Sequence, residues 1–116
     1  MQLDHEAFTD ILYQEKRVHI LDVREHDEFA KAHIKGSINI PLAMLKITSE
    51  ELYGPLKQKK VYLITPPLAA REALDELEKR GFQNVHHVTS EMKQIMKSIP
   101  PERKGGTLHE SVTVPS

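Results

Sequence analysis

The chain has 116 residues, with sixteen Lys and Arg against seventeen Asp and Glu, and no cysteine. That length fits one domain of ordinary size, and a net charge of −1 offers no basic field for nucleic acid or an anionic membrane surface. The missing cysteine excludes disulfides, thiolate metal sites, iron–sulfur clusters and any thiol nucleophile. No apolar run is long enough to span a bilayer, and the acidic start MQLDHEAFTD has no apolar core of a secretory signal. The expectation is a monomeric cytoplasmic domain.

Residues 4–14 (DHEAFTDILYQ) place Phe8, Ile11 and Leu12 at helical spacing behind Asp4, a ready N-cap. Lys16-Arg17 breaks the pattern, and Val18 to Leu21 reads as a buried strand ending at Asp22. Residues 26–32 fit a short helix with Phe29 inward, closed by Gly36. Ser37 to Ile40 form a second strand, stopped by Pro41. Residues 42–52 are apolar without a clean period and predict a broken helix, followed by the Gly54-Pro55 turn and the solvated Lys57–Lys60 cluster.

Val61 to Ile64 is the strongest strand signal, ended by Thr65-Pro66-Pro67. Residues 68–80 predict the best helix, with Leu68, Ala70, Ala73, Leu74 and Leu77 on its apolar side. Arg71–Asp75, Asp75–Lys79 and Glu76–Arg80 fall at i,i+4 on its wet side, and Gly81 suits its C′ position. Asn84 to Val88 predict another strand, and residues 90–98 a last helix with Ser90 as N-cap. Residues 1–98 then make the domain, and 99–116, opening on Pro100-Pro101, read as a disordered tail. Strands separated by helices imply a three-layer α/β domain. Its central parallel sheet has about four to five strands, with helices on both faces.

Leu21-Asp22-Val23-Arg24-Glu25, then Glu28-Phe29, then the run from His33 to Leu42 (HIKGSINIPL) resembles the rhodanese-like domain family. Each piece also has a local reading. Asp22 can accept backbone N–H groups of the turn after its strand, Arg24 can pair with Glu28, Gly36 permits a positive φ, and Pro41 fixes the strand exit. By these readings most of the signature is architecture.

The resemblance implies more about what is missing. Active members of that family are sulfurtransferases of the thiosulfate type, whose cysteine opens a six-residue loop after the central strand and carries sulfur as a persulfide. Inward backbone N–H groups and the next helix N-terminus make that loop an anion cradle. Counting back from Gly81, the cysteine position falls at Ile64 or next to it, so the corresponding loop is Ile64, Thr65, Pro66, Pro67, Leu68 and Ala69. No sulfur nucleophile stands there, Pro66 and Pro67 carry no N–H, and Ala69 stands where active members commonly have arginine.

Two functional classes follow. In the first, the domain is catalytically inactive and serves as a protein-interaction, small-anion-binding or regulatory module with an unknown protein partner. Asp22, Arg24 and Arg71 are then the candidate anion contacts, at the carboxyl ends of the strands. In the second, it is a sulfurtransferase-type enzyme acting with a partner's thiol. A Thr65 nucleophile would need His86 or His87 as base, and strand alternation sends those two to opposite faces. The seven histidines show no i,i+4 pair or H-E-x-x-H run, so neither metal nor cofactor is expected.

Overall fold

The computed structural model describes residues 2–107. Twelve regular elements follow one another. They are β1 (Gln2–Leu3), α1 (His5–Gln14), β2 (His19–Asp22), α2 (His26–Lys31), β3 (His33–Ile34) and β4 (Ile38–Asn39). Then come α3 (Glu50–Tyr53), β5 (Val61–Ile64), α4 (Ala70–Lys79), β6 (Val85–Val88), α5 (Met92–Ser98) and β7 (Lys104–Gly105). The main sheet runs β1-β6-β5-β2-β4 and all its pairings are parallel. This is the expected three-layer α/β architecture, with five strands.

Every residue of β5 is buried, because helices cover both faces of the sheet and leave no wet side for alternation to mark. One core packs Leu21, Val23, Val61 and Leu63 against Tyr53, Leu77 and Phe82. The other packs Ile20, Tyr62, Ile64 and Val88 against Phe8, Leu12, Ile95 and Ile99. Buried Tyr53 keeps its hydroxyl satisfied by donating to the Leu45 carbonyl at 2.7 Å.

The helix ends follow the residues that cap them. Asp4 accepts from the Ala7 N–H at 2.9 Å, as its N-cap position requires. Glu91, not Ser90, precedes α5, and Ser90 instead accepts the His5 N–H at 2.8 Å. Of the three expected i,i+4 pairs on α4, only Glu76–Arg80 forms among the described residues, at 3.6 Å. α4 begins at Ala70 rather than residue 68, for a reason given below.

The tail expectation needs correction for residues 99–105. Ile99 is buried in the second core, residues 101–103 form a 3-10 turn, and β7 pairs antiparallel with β3. Gly105 and Gly106 allow this strap rather than loosening it. A Cβ on Gly106 would lie 2.5 Å from the Lys31 carbonyl oxygen, and one on Gly105 2.7 Å from the His33 ring. The rest of that expectation, residues 108–116, lies outside the described residues. Among the described residues no helix is long and apolar enough to cross a membrane.

Candidate functional site

A cavity of about 460 Å³ opens at the carboxyl ends of β2, β5 and β6, where parallel α/β sheets place their ligands. Its wall comes from Arg24 and Glu25 after β2 with Glu28 of α2, from Thr65 to Leu68 after β5 with Ala70 of α4, and from the stretch His87 to Lys93.

The loop after β2 is closed on itself. Asp22 is completely buried, so its charge requires a partner, and Arg24 supplies it. The Arg24 Nε donates to Oδ1 and Oδ2 at 3.0 and 3.2 Å, and Nη2 donates to Oδ2 at 2.9 Å. The Arg24 backbone N–H also donates to Oδ1 at 3.0 Å, the turn contact expected of Asp22. Nη2 reaches the Ala32 carbonyl at 2.7 Å.

The expected Arg24–Glu28 side-chain pair is therefore not formed. Arg24 touches only the Glu28 carbonyl, at 3.5 Å, while the Glu28 carboxylate lies 3.8 Å from Lys31. Two-residue spacing at a strand end puts Asp22 and Arg24 on the same side, and the buried carboxylate outcompetes an exposed one. Asn39 clamps the loop from β4, its Nδ2 donating to the carbonyls of Asp22 and Arg24 at 2.9 Å each. In the sequence Asn39 read only as a strand residue, and the hydrogen-bonding role depends on the β2–β4 pairing.

The loop after β5 is open. Ile64 ends the strand with its side chain in the second core, and is not part of the cavity wall. Thr65 is the first loop residue on that wall. Pro66 to Ala69 then form a tight turn closed by the Ala69 N–H donating to the Pro66 carbonyl at 3.2 Å. Pro67 suits its second position and Leu68 takes a φ of +67° at its third, a left-handed conformation uncommon for a branched residue. This turn, with Leu68 at 105% exposure, is why α4 starts two residues late. Arg71 is exposed on α4 and lies off the cavity, so its expected anion contact is not in place; Ala70 lines the wall instead.

His86 and His87 go to different neighbours, as alternation requires. The His86 ring lies 5.7 Å from the Tyr62 ring, and the His87 Nε2 lies 3.1 Å from the Thr65 Oγ1. His87 is 9% exposed, and its Nδ1 is buried without a partner. Burial pushes its pKa down from the usual histidine value, so the ring is neutral at pH 7.

This geometry decides what the pair can do. For His87 to act as base toward Thr65, Nε2 must present its lone pair, and the proton then sits on the buried Nδ1 with no acceptor. The other tautomer donates Nε2–H to Thr65 and leaves only a lone pair unused on Nδ1, a smaller penalty than a stranded N–H. Thr65 is thus an acceptor toward His87, and its own O–H is free to donate. A nucleophile with its base oriented by a third group is not assembled.

A parallel sheet, helices on both faces, and a loop-and-helix cradle over the strand ends define the class as a three-layer α/β domain with its site at the carboxyl edge. The chain belongs to the rhodanese-like domain family, whose model matches residues 5–98. YrkF of Bacillus subtilis, a sulfur-carrier candidate by name, is 32% identical over 93 residues, covering 79% of this chain and 49% of its own length. The centrosomal protein of 41 kDa B of Xenopus laevis is 27% identical, covering 97% of this chain and 33% of its own. The rhodanese-like domain of the Alr3790 protein from Anabaena sp. superposes with a TM-score of 0.74 at 19% identity, over 99% of this chain and 86% of that one. This chain thus spans half or less of the length of both curated relatives named here.

Proposed function

We propose that this domain keeps the rhodanese-like scaffold without sulfur transfer and works as a contact module through its loop-and-cavity end. The observation that carries the reading is the turn from Pro66 to Ala69. Its two prolines contribute no N–H, the Ala69 amide is spent closing the turn so that only the Leu68 amide is left over, and the Leu68 side chain stands fully exposed at the tip. A cradle for a persulfide or oxyanion needs inward amides and a sulfur atom, and this chain has no sulfur nucleophile. A rigid turn presenting an apolar side chain suits a protein contact. Relatives named for sulfur carriage and for the centrosome fit a scaffold whose role is set by its site.

Incubation with thiosulfate and cyanide should give no thiocyanate above a buffer blank, and turnover would overturn the reading. Leu68→Asp should weaken capture of a partner, and unchanged capture removes this turn as the contact surface. The competing reading is sulfur transfer on a partner's thiol, supported by the name of YrkF. It predicts turnover that appears only when a thiol-bearing protein is added.

A further inference from the structure

We propose that residues 101–107 form a detachable brace for the α2 side of the cavity, so that pulling this strap away frees α2 while the main sheet stays folded. The proposal rests on the contact-module reading only for its use, since the braced wall belongs to the same end of the molecule. α2 buries none of its six residues, so no core packing fixes it. Two sets of contacts hold it instead. On one side Arg24 reaches the carbonyls of Glu28 and Ala32. On the other side lies the strap. Glu25 and Glu28 carry the start of α2 onto the cavity wall, so the freedom of α2 is the freedom of that wall.

The contacts run unbroken from strap to helix. In the β3–β7 pair His33 stands opposite Gly105, and the Lys35 N–H donates to the Arg103 carbonyl at 2.7 Å. Gly105 packs against the His33 ring. That ring stacks on Phe29 with centroids 4.0 Å apart, and its Nδ1 donates to the Phe29 carbonyl at 2.7 Å. Gly106, at a φ of +113°, backs onto Lys31 and Ala32, and the Thr107 Oγ1 donates to the Ala30 carbonyl at 3.4 Å. The Arg103 side chain adds one tie to the body, at the Glu15 carbonyl after α1.

The strap is also built to leave. Its root is Ile99, buried in the second core, and the segment beyond it exposes Pro101, Glu102 and Thr107. A two-stranded ladder is marginal by itself, and Gly105 and Gly106 regain more backbone freedom on release than other residues would. Ile34 keeps β3 rooted in the second core, so release reaches α2 before it reaches the sheet. The family model ends at residue 98, so the strap lies outside the stretch that defines the family.

Amide hydrogen exchange on the full chain tests the brace, with Gly106→Val and Gly105→Val as separate variants. Either side chain must push the strap away, from the Lys31 carbonyl in one case and from the His33 ring in the other. The Phe29 and Ala32 amides, which donate to the Glu25 and Glu28 carbonyls, should then exchange roughly tenfold faster than in the parent chain. The amides of β5 and β6 should stay within about twofold, and the Arg24 Nε–H, given to buried Asp22, should stay protected. Unchanged exchange at Phe29 and Ala32 in both variants would overturn the proposal, because α2 would then be held without the strap. Equal acceleration across the sheet, or loss of the fold in both variants, would overturn it as well, because the strap would then belong to the global fold. Thiocyanate turnover defeats the contact reading and leaves the brace standing, whereas unchanged exchange removes the brace and leaves the Leu68 turn as the contact.

Discussion

Two loops leave neighbouring strand ends in register, Asp22 of β2 beside Ile64 of β5, and they solve opposite problems. The loop after β2 begins with a buried charge. Its conformation is set by the need to satisfy that charge, and Arg24 and Asn39 spend their hydrogen bonds inward doing so. The loop after β5 begins with a buried isoleucine and carries no charge until Arg71. Its shape is held by proline rings and one turn hydrogen bond, and of its side chains Thr65 meets His87 at 3.1 Å while Leu68 stands fully exposed. The loop after β2, which carries the family signature, is thus tied into the fold by its own buried charge, while the loop after β5 carries no such charge and no cysteine.

The comparison breaks most visibly at Asp22. Asp22→Ala strands the Arg24 guanidinium and should cost about 3–5 kcal/mol in urea unfolding, whereas Pro67→Ala in the other loop should cost about 1 kcal/mol or less. A loss below 1 kcal/mol at Asp22 would show that the first loop is not held by its charge pair.

Cysteine placement sharpens the second loop. Thr65→Cys sets a thiol on the cavity wall beside His87, and should react with a maleimide many times faster than Ile64→Cys, whose sulfur would sit in the core. Neither variant should produce thiocyanate, because the prolines still withhold the amides. Equal labelling would mean that Ile64 is not sequestered.

The third contrast is pH. Burial lowers the His87 pKa below 6.5, so the unfolded chain binds more protons than the native one as acid is added. Stability from this group is fully present above about pH 6.5 and declines as pH falls through that value toward the folded pKa. His87→Gln should flatten that acid-side decline in unfolding curves taken between pH 7.5 and pH 5, approximate limits set to span the ordinary histidine range. His86, also lowered by burial, leaves a residual slope.

The smallest expected effect is at the turn tip. Leu68→Gly relieves the left-handed strain of a side chain that packs against nothing, and should raise stability by about 0.5–1 kcal/mol while weakening partner capture. A loss of stability would mean that Leu68 has a structural role the turn geometry does not reveal.

Much of the fold was legible because its signals are local. β5 is a run of β-branched and apolar residues, β2 and β6 are built around Ile20-Leu21 and around Val85 and Val88, and the helical spacing of Phe8 and Leu12 or of Ala73 and Leu77 survives in the buried faces of α1 and α4. The two-residue strands β1, β3 and β7 were not legible, since two residues carry no period. The segment holding Gly105-Gly106 read as part of a disordered tail, although a missing Cβ also permits close approach of backbones. At the site, the loop after β5 was located by counting, but Arg71 was placed on it by proximity in sequence alone. Helix rotation and the late start of α4 put that residue outside.

The sequence by itself determined the scaffold and the absence of a thiol nucleophile, because periodicity, breakers and cysteine content are properties of single segments and of composition. Only the tertiary structure decided which groups remain free. Asp22 takes Arg24 from Glu28, Thr65 finds His87 across twenty-two residues, and Glu25 and Glu91 face one mouth from different helices. Those choices are competitions between partners brought together by strand pairing and burial, and a linear chain does not state who meets whom.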